Sequence, residues 1–597
     1  MKLLNNLSLQ FIGLTNTIKR YPLTTIFLLA ATITNGIAIS SDRNLDIVYY
    51  MVSFLLGALL SVVFQMLYER FSTKAIDRMV YMVVATAAIL VYYLLIQAQG
   101  FDKVVATRTF AFFFILLIAF LWIPSIKNKY SFNETFMASL KAFFVALIFS
   151  GVLYLGIIAI IFAVDFLIVS VDSDAYGHSA NIVFILFAPL YLLSMIPIYP
   201  ERGDSLSDGG GAISEDSTAD EAIEKAVTAS KFVENLISYI VIPLTAIFTI
   251  ILFLYLVTNI TGRFWTDNLL EGMLVAYSTT VIVVYLLASR LENKIALYFR
   301  KIFPKVLIPI VLFQTLSSIM KVSDTGITYG RYYVIIFGIF ATTAGILFSF
   351  ISVKKNGIIA PIMIALTLIS IIPPVDAFTL SKVSQANRLK DVLIKNNMLE
   401  GDKLLPNPNV PEEDRQIIKS SLAYLASLDQ IDAVNWLSDY SNSQNFEKVF
   451  GFPEYGHGGK IYTSIYLDLD RSIPIPIEGQ DYFINLRLYN DSSTHEFGFT
   501  KGDYNYKVIA DSLADEEGVI QLLLDDNSLI QFRIQDIFDR YISESNDINE
   551  IMSLEKATFT TENENANLTI IAQNVFLSQW SDYKEQSVEL IVLIKVK

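Results

Sequence analysis

From Tyr21 to Asp376 the chain alternates long apolar runs with short polar connections. About eleven such runs can be read, at 21–40, 46–68, 77–97, 104–123, 140–164, 181–199, 236–258, 268–288, 303–320, 331–352 and 357–376. The hydrocarbon core of a bilayer is about 30 Å thick, and a helix crosses it with roughly 20 apolar residues. Most of the runs reach that length. Residues 143–164 show the signal well, with no charge before Asp165. Lipid cannot hydrogen-bond a bare backbone, so these runs must be helices. The ninth run holds Pro304, Pro309 and Gln314, and a proline-interrupted span is one way to build a substrate site.

After Asp376 the pattern changes. Val383, Ala386, Leu389 and Leu393 share one helical face, and Gly401 stands where a helix would end. Pro406, Pro408 and Pro411 mark a turn. Glu412, Glu413 and Asp414 then supply the acidic first turn of a second helix, whose apolar stripe is Ile417, Ile418, Leu422 and Leu425. A third short helix is expected at 430–437. Beyond Phe450 the segments 461–469, 482–488, 506–509, 568–576 and 588–596 read as strands. Segments 519–524 and 529–534 read as a hairpin, with Ile530, Phe532 and Ile534 alternating against Gln531 and Arg533. The fold class is therefore mostly α: a polytopic α-helical membrane bundle of about eleven spans (1–376), followed by an α+β soluble domain. That domain has a helical part (377–450) and a strand-rich part with an antiparallel sheet (451–597).

Composition sharpens this picture. Hydrophobic residues make up 53% of the chain and charged residues only 17%, against about 25% charged in soluble proteins. The chain has no cysteine and three histidines, which excludes disulfides and thiolate chemistry and argues against a multi-histidine metal site. No cofactor is expected. Residues 377–597 hold 19 Lys and Arg against 35 Asp and Glu, whereas residues 1–376 hold 25 against 23. An acidic domain without a basic stripe argues against nucleic acid as a partner.

Charge also orients the spans. With the N-terminus in the cytoplasm, the inside connections carry 19 Lys and Arg and the outside ones six, as the positive-inside rule requires. An odd number of spans then puts the acidic C-terminal domain outside the cytoplasm. The first run lacks a clear cleavage site and is read as a span rather than a secretory signal. The long inside connection 201–235 contains Gly209, Gly210 and Gly211 among Ser, Asp and Glu, a flexible linker. It lacks the Lys-Ser/Thr of a phosphate-binding loop.

Few residues qualify for chemistry. Asp165 at the outer end of the fifth span, with Asp172 and Asp174 beyond it, is either a cation entry site or an interfacial acid, and its place near a helix end favours the latter. Gln314 suits an interhelical hydrogen bond. Tyrosines such as Tyr462, Tyr466 and Tyr482 could face a glycan or pack a strand, and the turn around His457 lacks a second histidine for a metal. The stretch from Lys321 to Tyr333 is more particular. Gly326 permits a tight turn, Thr328 can cap the following helix, and Arg331 with Tyr332 fits an interfacial anchor or a site for an anionic lipid or glycan phosphate.

Gly326-Ile327-Thr328 followed by Arg331-Tyr332 resembles an element of a bacterial membrane family catalogued as domain of unknown function 4153. Asp376, Ser384-Gln385, Arg388-Leu389 and Asn397-Met398-Leu399 form a second match. The resemblance covers the membrane half and the first helices after it. It implies a multi-pass protein of the bacterial plasma membrane, and it implies no catalytic residues. Three functions are weighed. The first is an envelope protein that anchors, or senses through, its acidic extracytoplasmic domain, with an envelope protein or glycan as partner besides the bilayer. The second is a transporter or channel. The third is a lipid-linked glycosyltransferase, ranked last because the outside loop holding Asp42 and Asp46 is too short for an active site.

Overall fold

The computed structural model describes residues 13–41, 47–72, 74–199, 216–437, 440, 445–454, 463–470, 472–489, 494–511, 513, 518–542, 547–580 and 583–597, apart from 260–268. The glycine-rich part of the long connection, Asp42, Asp46, His457 and Tyr462 lie outside the described residues. The chain divides into two units, one of residues 1–391 and 420–434, the other of residues 392–419 and 435–597.

The first unit is helical. Its membrane-length helices are α1 (Pro22–Ile39), α2 (Ile47–Phe71), α3 (Ala75–Gln99), α4 (Lys103–Trp122), α5 (Phe132–Leu167) and α6 (Asp174–Ser194). After α7 (Asp216–Val227) come α8 (residues 231–259, with a π-helical turn at Ile237–Val241), α9 (Leu269–Leu287), α10 (Lys294–Thr325) and α11 (Tyr329–Phe350). Polar side chains set several starts. Asp102 accepts from the Val105 N–H at the head of α4 (2.7 Å), Ser131 and Glu134 form a capping box on α5, and Asn293 caps α10. Among the described residues ten helices are long and apolar enough to cross a membrane. The chain is a multi-pass membrane protein.

The eleventh apolar run differs from expectation. It forms only 11 helical residues, α12 (Ile359–Ile369), entered through 3-10 turns at Val353–Ile358 and left through turns to Asp376. Its two ends nevertheless belong to opposite ends of the bundle. At one end the Val353 carbonyl accepts from Asn133 at the start of α5 (3.3 Å). At the other, the Val375 carbonyl accepts from Tyr332 at the start of α11 (2.8 Å), and Asp376 pairs with Arg108 near the start of α4 (3.1 Å). The starts of α4 and α5 are separated by the 20 residues of α4, about 30 Å of rise. The 3-10 turns and α12 together rise about 28 Å. Residues 353–376 therefore run the full depth of α4 although no single long helix does so.

Other polar contacts sort the connections in the same way. Arg20 pairs with Glu69 and donates to the carbonyls of Ile196 and Pro197, while Arg70 donates to those of Ile126 and Lys127. These ties gather the cationic connections at one end. At the other, Ser40 meets His178 and Asn35 meets Asn181.

After α13 (Ala377–Lys395), the ribbon β1 (Leu399–Glu400) and β2 (Lys403–Leu404), and α14 (Glu412–Ala426), the expected third helix shrinks to a 3-10 turn at Asn435–Leu437, followed by α15 (Phe446–Phe450). The second unit is then built on two sheets. The larger has the order β4 (Tyr482–Tyr489), β12 (Tyr583–Val596), β11 (Ala566–Trp580), β3 (Thr463–Leu469), β9 (Asp547–Met552), with β10 (Thr558–Glu562) also on β11. The smaller is the meander β5 (His495–Lys501), β6 (Tyr504–Ala510), β7 (Val519–Leu524), β8 (Asn527–Arg533). The expected hairpin is β7–β8, and Asp525 and Asp526 close it with positive φ. The expected antiparallel pairing holds except where β9 joins β3 in parallel. Alternate residues such as Ile465 and Leu467, Leu568 and Ile570, and Leu590 and Val592 form the core, with α16 (Gln535–Ile542) and α17 (Leu554–Ala557) filling the connections.

One buried carboxylate of the second unit makes its stability depend on pH. Burial opposes ionisation of Asp414, but hydrogen bonds from Asn396 and Lys395 (both 2.9 Å) outweigh it and hold the carboxyl below the usual carboxylate range. A lowered folded pKa stabilises above the unfolded value and loses that contribution as pH falls through the folded one. The wild type should therefore lose stability relative to Asp414→Asn once the pH drops below about 4, measured as urea midpoints at pH 7 and pH 3. A constant difference between the two proteins would refute this.

Candidate functional site

The structure brings the first sequence match and the Asp376–Arg388 part of the second together at one end of the helical unit. Gly326 ends α10 with φ +73°, its N–H donating to Val322 (2.9 Å). The following residues cross to α11, whose first N–H groups are capped by Thr328, accepting from Arg331 N–H (3.3 Å). Against this crossing lies the first part of α13. Gln385 donates to the carbonyls of Thr325 (2.9 Å) and Ile327 (3.2 Å), and Ser384 accepts from the Ile327 N–H (2.9 Å). A Cβ on residue 326 would stand 2.6 Å from the Gln385 amide nitrogen. Glycine is needed both for the backbone angle and for this close approach.

Arg331 turns back on the same loop, donating to the Thr325 hydroxyl and to the Gly326 carbonyl (3.2 Å for the latter). Its geometry supports the joint. Tyr332 reaches the last crossing at Val375. The Tyr329 N–H donates to the Tyr424 hydroxyl (2.7 Å), and its ring stacks on Phe378 and lies under Lys103 at 4.9 Å.

Asp376 anchors the assembly. It is fully buried, yet every oxygen is used: Oδ1 accepts from Arg108, Phe378 N–H and Thr379 N–H, and Oδ2 from the Thr379 hydroxyl (2.5 Å). The carboxylate caps α13 while holding α4. Sequence reasoning placed Arg108 only among the outer charges. The available signal was its position as the single charge within the run 104–123.

The remaining candidates fall elsewhere. Asp165 is exposed near the end of α5 and accepts from the Val171 N–H (2.7 Å), a helix-end contact. Gln314 lies 12 residues before Gly326 on α10, about 18 Å away by helix rise. It is buried, and its amide makes no hydrogen bond among the described residues. Pro304 and Pro309 do not interrupt α10, which runs unbroken over 32 residues, so the broken span is not observed. Among the described residues no group of acidic and histidine side chains could hold a metal ion.

A family model described as a domain of unknown function, DUF4153, matches residues 23–407. No curated protein and no solved structure matches the chain. The matched region contains Arg108, Gly326, Asp376 and Gln385 but not Tyr424.

Because its tolerance for a side chain differs so sharply from that of its neighbour, Gly326 gives a direct test. Gly326→Ala should cost about 1–3 kcal/mol of stability. Gly330→Ala, at a helical position with open space around it, should change stability by about 0.5 kcal/mol or less. Tryptophan-fluorescence melting of the detergent-solubilised protein reads both, and equal effects would contradict the geometry.

Proposed function

The chain belongs to the family described as domain of unknown function 4153, and from that premise we propose that it is an envelope protein of the bacterial plasma membrane. In this reading the bundle anchors the acidic C-terminal region on the extracytoplasmic side, and that region senses or holds an envelope protein or glycan. The single observation that carries the reading is the path of residues 353–376. These residues start beside Asn133 at the cationic end of the bundle and finish beside Arg108 and Tyr332 at the other. Among the described residues ten long helices and this shorter crossing make eleven passages, an odd number. Lys and Arg prefer the cytoplasmic side, and this supports an exit at residue 376 on the extracytoplasmic side.

The joint at residue 376 fits that role. The last crossing is held at its end. It is bonded through Asp376 to α4 and through Val375 to α11, and α13 begins within the same hydrogen-bond network. A rigid exit suits a device that must hold the C-terminal region, or register force or ligand on it. The joint's carboxylate is spent on structural bonds, its four donors all belonging to Arg108, Phe378 and Thr379, which favours this reading over catalysis.

The chain has no cysteine, so single cysteines report sidedness cleanly. Ser472→Cys, in the C-terminal region, should react with a membrane-impermeant maleimide in intact spheroplasts. Thr228→Cys, at the cationic end, should react only after lysis. Both sites are exposed. The reverse labelling would overturn the orientation and the envelope-facing role with it.

A further inference from the structure

Two cavities are lined by residues of α4. The first is an apolar groove of about 640 Å³ walled by α4, α5, α9, α11 and α12, within the range of roughly 300–1,000 Å³ typical of ligand sites. Its lining is graded. Thr107, Tyr333, Thr367 and Ser370 line it near the residue-376 end, whereas Leu121, Phe132 and Ile359 line it toward the cationic end. The second cavity, about 180 Å³, is polar and is lined by Arg108 and Lys382 together with Gln99, Thr379 and Gln430. Arg108 belongs to this pocket, and Thr107 and Ala111, its neighbours along α4, belong to the groove. A molecule with a polar head and a long apolar tail would occupy both.

We propose that this paired site binds an anionic glycerophospholipid, with a tail in the groove and the headgroup phosphate between Arg108 and Lys382. The charges facing the pocket support an anion. Arg108 and Lys382 stand against Asp102, which is already engaged with the Val105 N–H, while Asp376, the partner of Arg108, accepts from four donors. The Arg108 Nε is buried and makes no hydrogen bond among the described residues. A guanidinium and an ammonium lining one pocket are a phosphate-binding pair. The groove reaches the protein surface at Phe110, which is 74% exposed, and at Thr279. The lipid tail therefore enters from the bilayer, where glycerophospholipids are the amphiphiles at hand. The lipid would fill space between α4, α11 and α12, the helices that the Asp376 joint also connects. The site requires the membrane bundle but not the proposed orientation, so the sidedness labelling and the lipid experiment can fail separately.

Native mass spectrometry of the full-length protein tests the assignment, after incubation in detergent with equal phosphatidylglycerol and phosphatidylethanolamine, and separately with a polyprenyl phosphate. Phosphatidylglycerol should be retained over phosphatidylethanolamine. Lys382→Ala should reduce that preference about fivefold, the worth of one cation near a lipid headgroup, without changing the melting temperature. Thr279→Trp, which fills the groove from an exposed position, should lower retention of both phospholipids together. Equal retention of the two by the wild type, an unchanged preference in Lys382→Ala, unchanged retention in Thr279→Trp, or stronger capture of the polyprenyl phosphate would each overturn the proposal.

Discussion

The arrangement at the joint around residue 376 depends on one fully buried carboxylate. An ionised Asp376 without partners could not be tolerated away from water, because desolvating a carboxylate costs several kcal/mol even after relaxation. Here a guanidinium, two backbone N–H groups and a hydroxyl converge on it. The requirement to satisfy that charge fixes several things at once. It ends the last crossing, starts α13, and sets the depth at which α4 meets both.

The same constraint explains the short eleventh crossing. A bilayer demands that each backbone polar group be satisfied within the protein, so an 11-residue helix cannot stand in lipid without help at its ends. The 3-10 turns before α12 receive Asn133, and the turns after it receive Tyr332 and Arg108. Packing against α4 and α11 supplies what length does not. The apolar groove lies on this same group of helices, and that gives a reason for a bound lipid there: the shortest span leaves the most room beside it.

Much of this was legible from the pattern of residues. Ten spans follow from apolar length alone, since lipid imposes a single solution on a long greasy run. The eleventh run read as one more long helix because hydropathy measures apolar length and not the backbone path, and Pro373 and Pro374 mark where that path leaves the helix. The hairpin at 519–533 was visible because alternation and an Asp-Asp turn agree. Strands β5, β9 and β10 were missed because polar and charged residues equal or outnumber apolar ones in them, as in His495-Glu496-Phe497-Gly498-Phe499-Thr500-Lys501. At the joint, Gly326 and Thr328 announce a turn and a cap through their chemistry. The engagement of Ile327, between them, by Ser384 and Gln385 almost 60 residues later has no local signature. Arg108 and Asp376 are 268 residues apart, and no spacing rule connects them.

The central claim is that Arg108 and Asp376 act as one unit clamping the last crossing to α4. A double-mutant cycle tests it most directly, using Arg108→Gln, Asp376→Asn and the combined variant in equilibrium unfolding of the solubilised protein. If the clamp exists, the combined loss falls short of the sum of the single losses by more than about 1 kcal/mol, the range found for residues in direct contact. Single losses that simply add, within about 0.5 kcal/mol, would show that the two side chains do not depend on each other and would contradict the account.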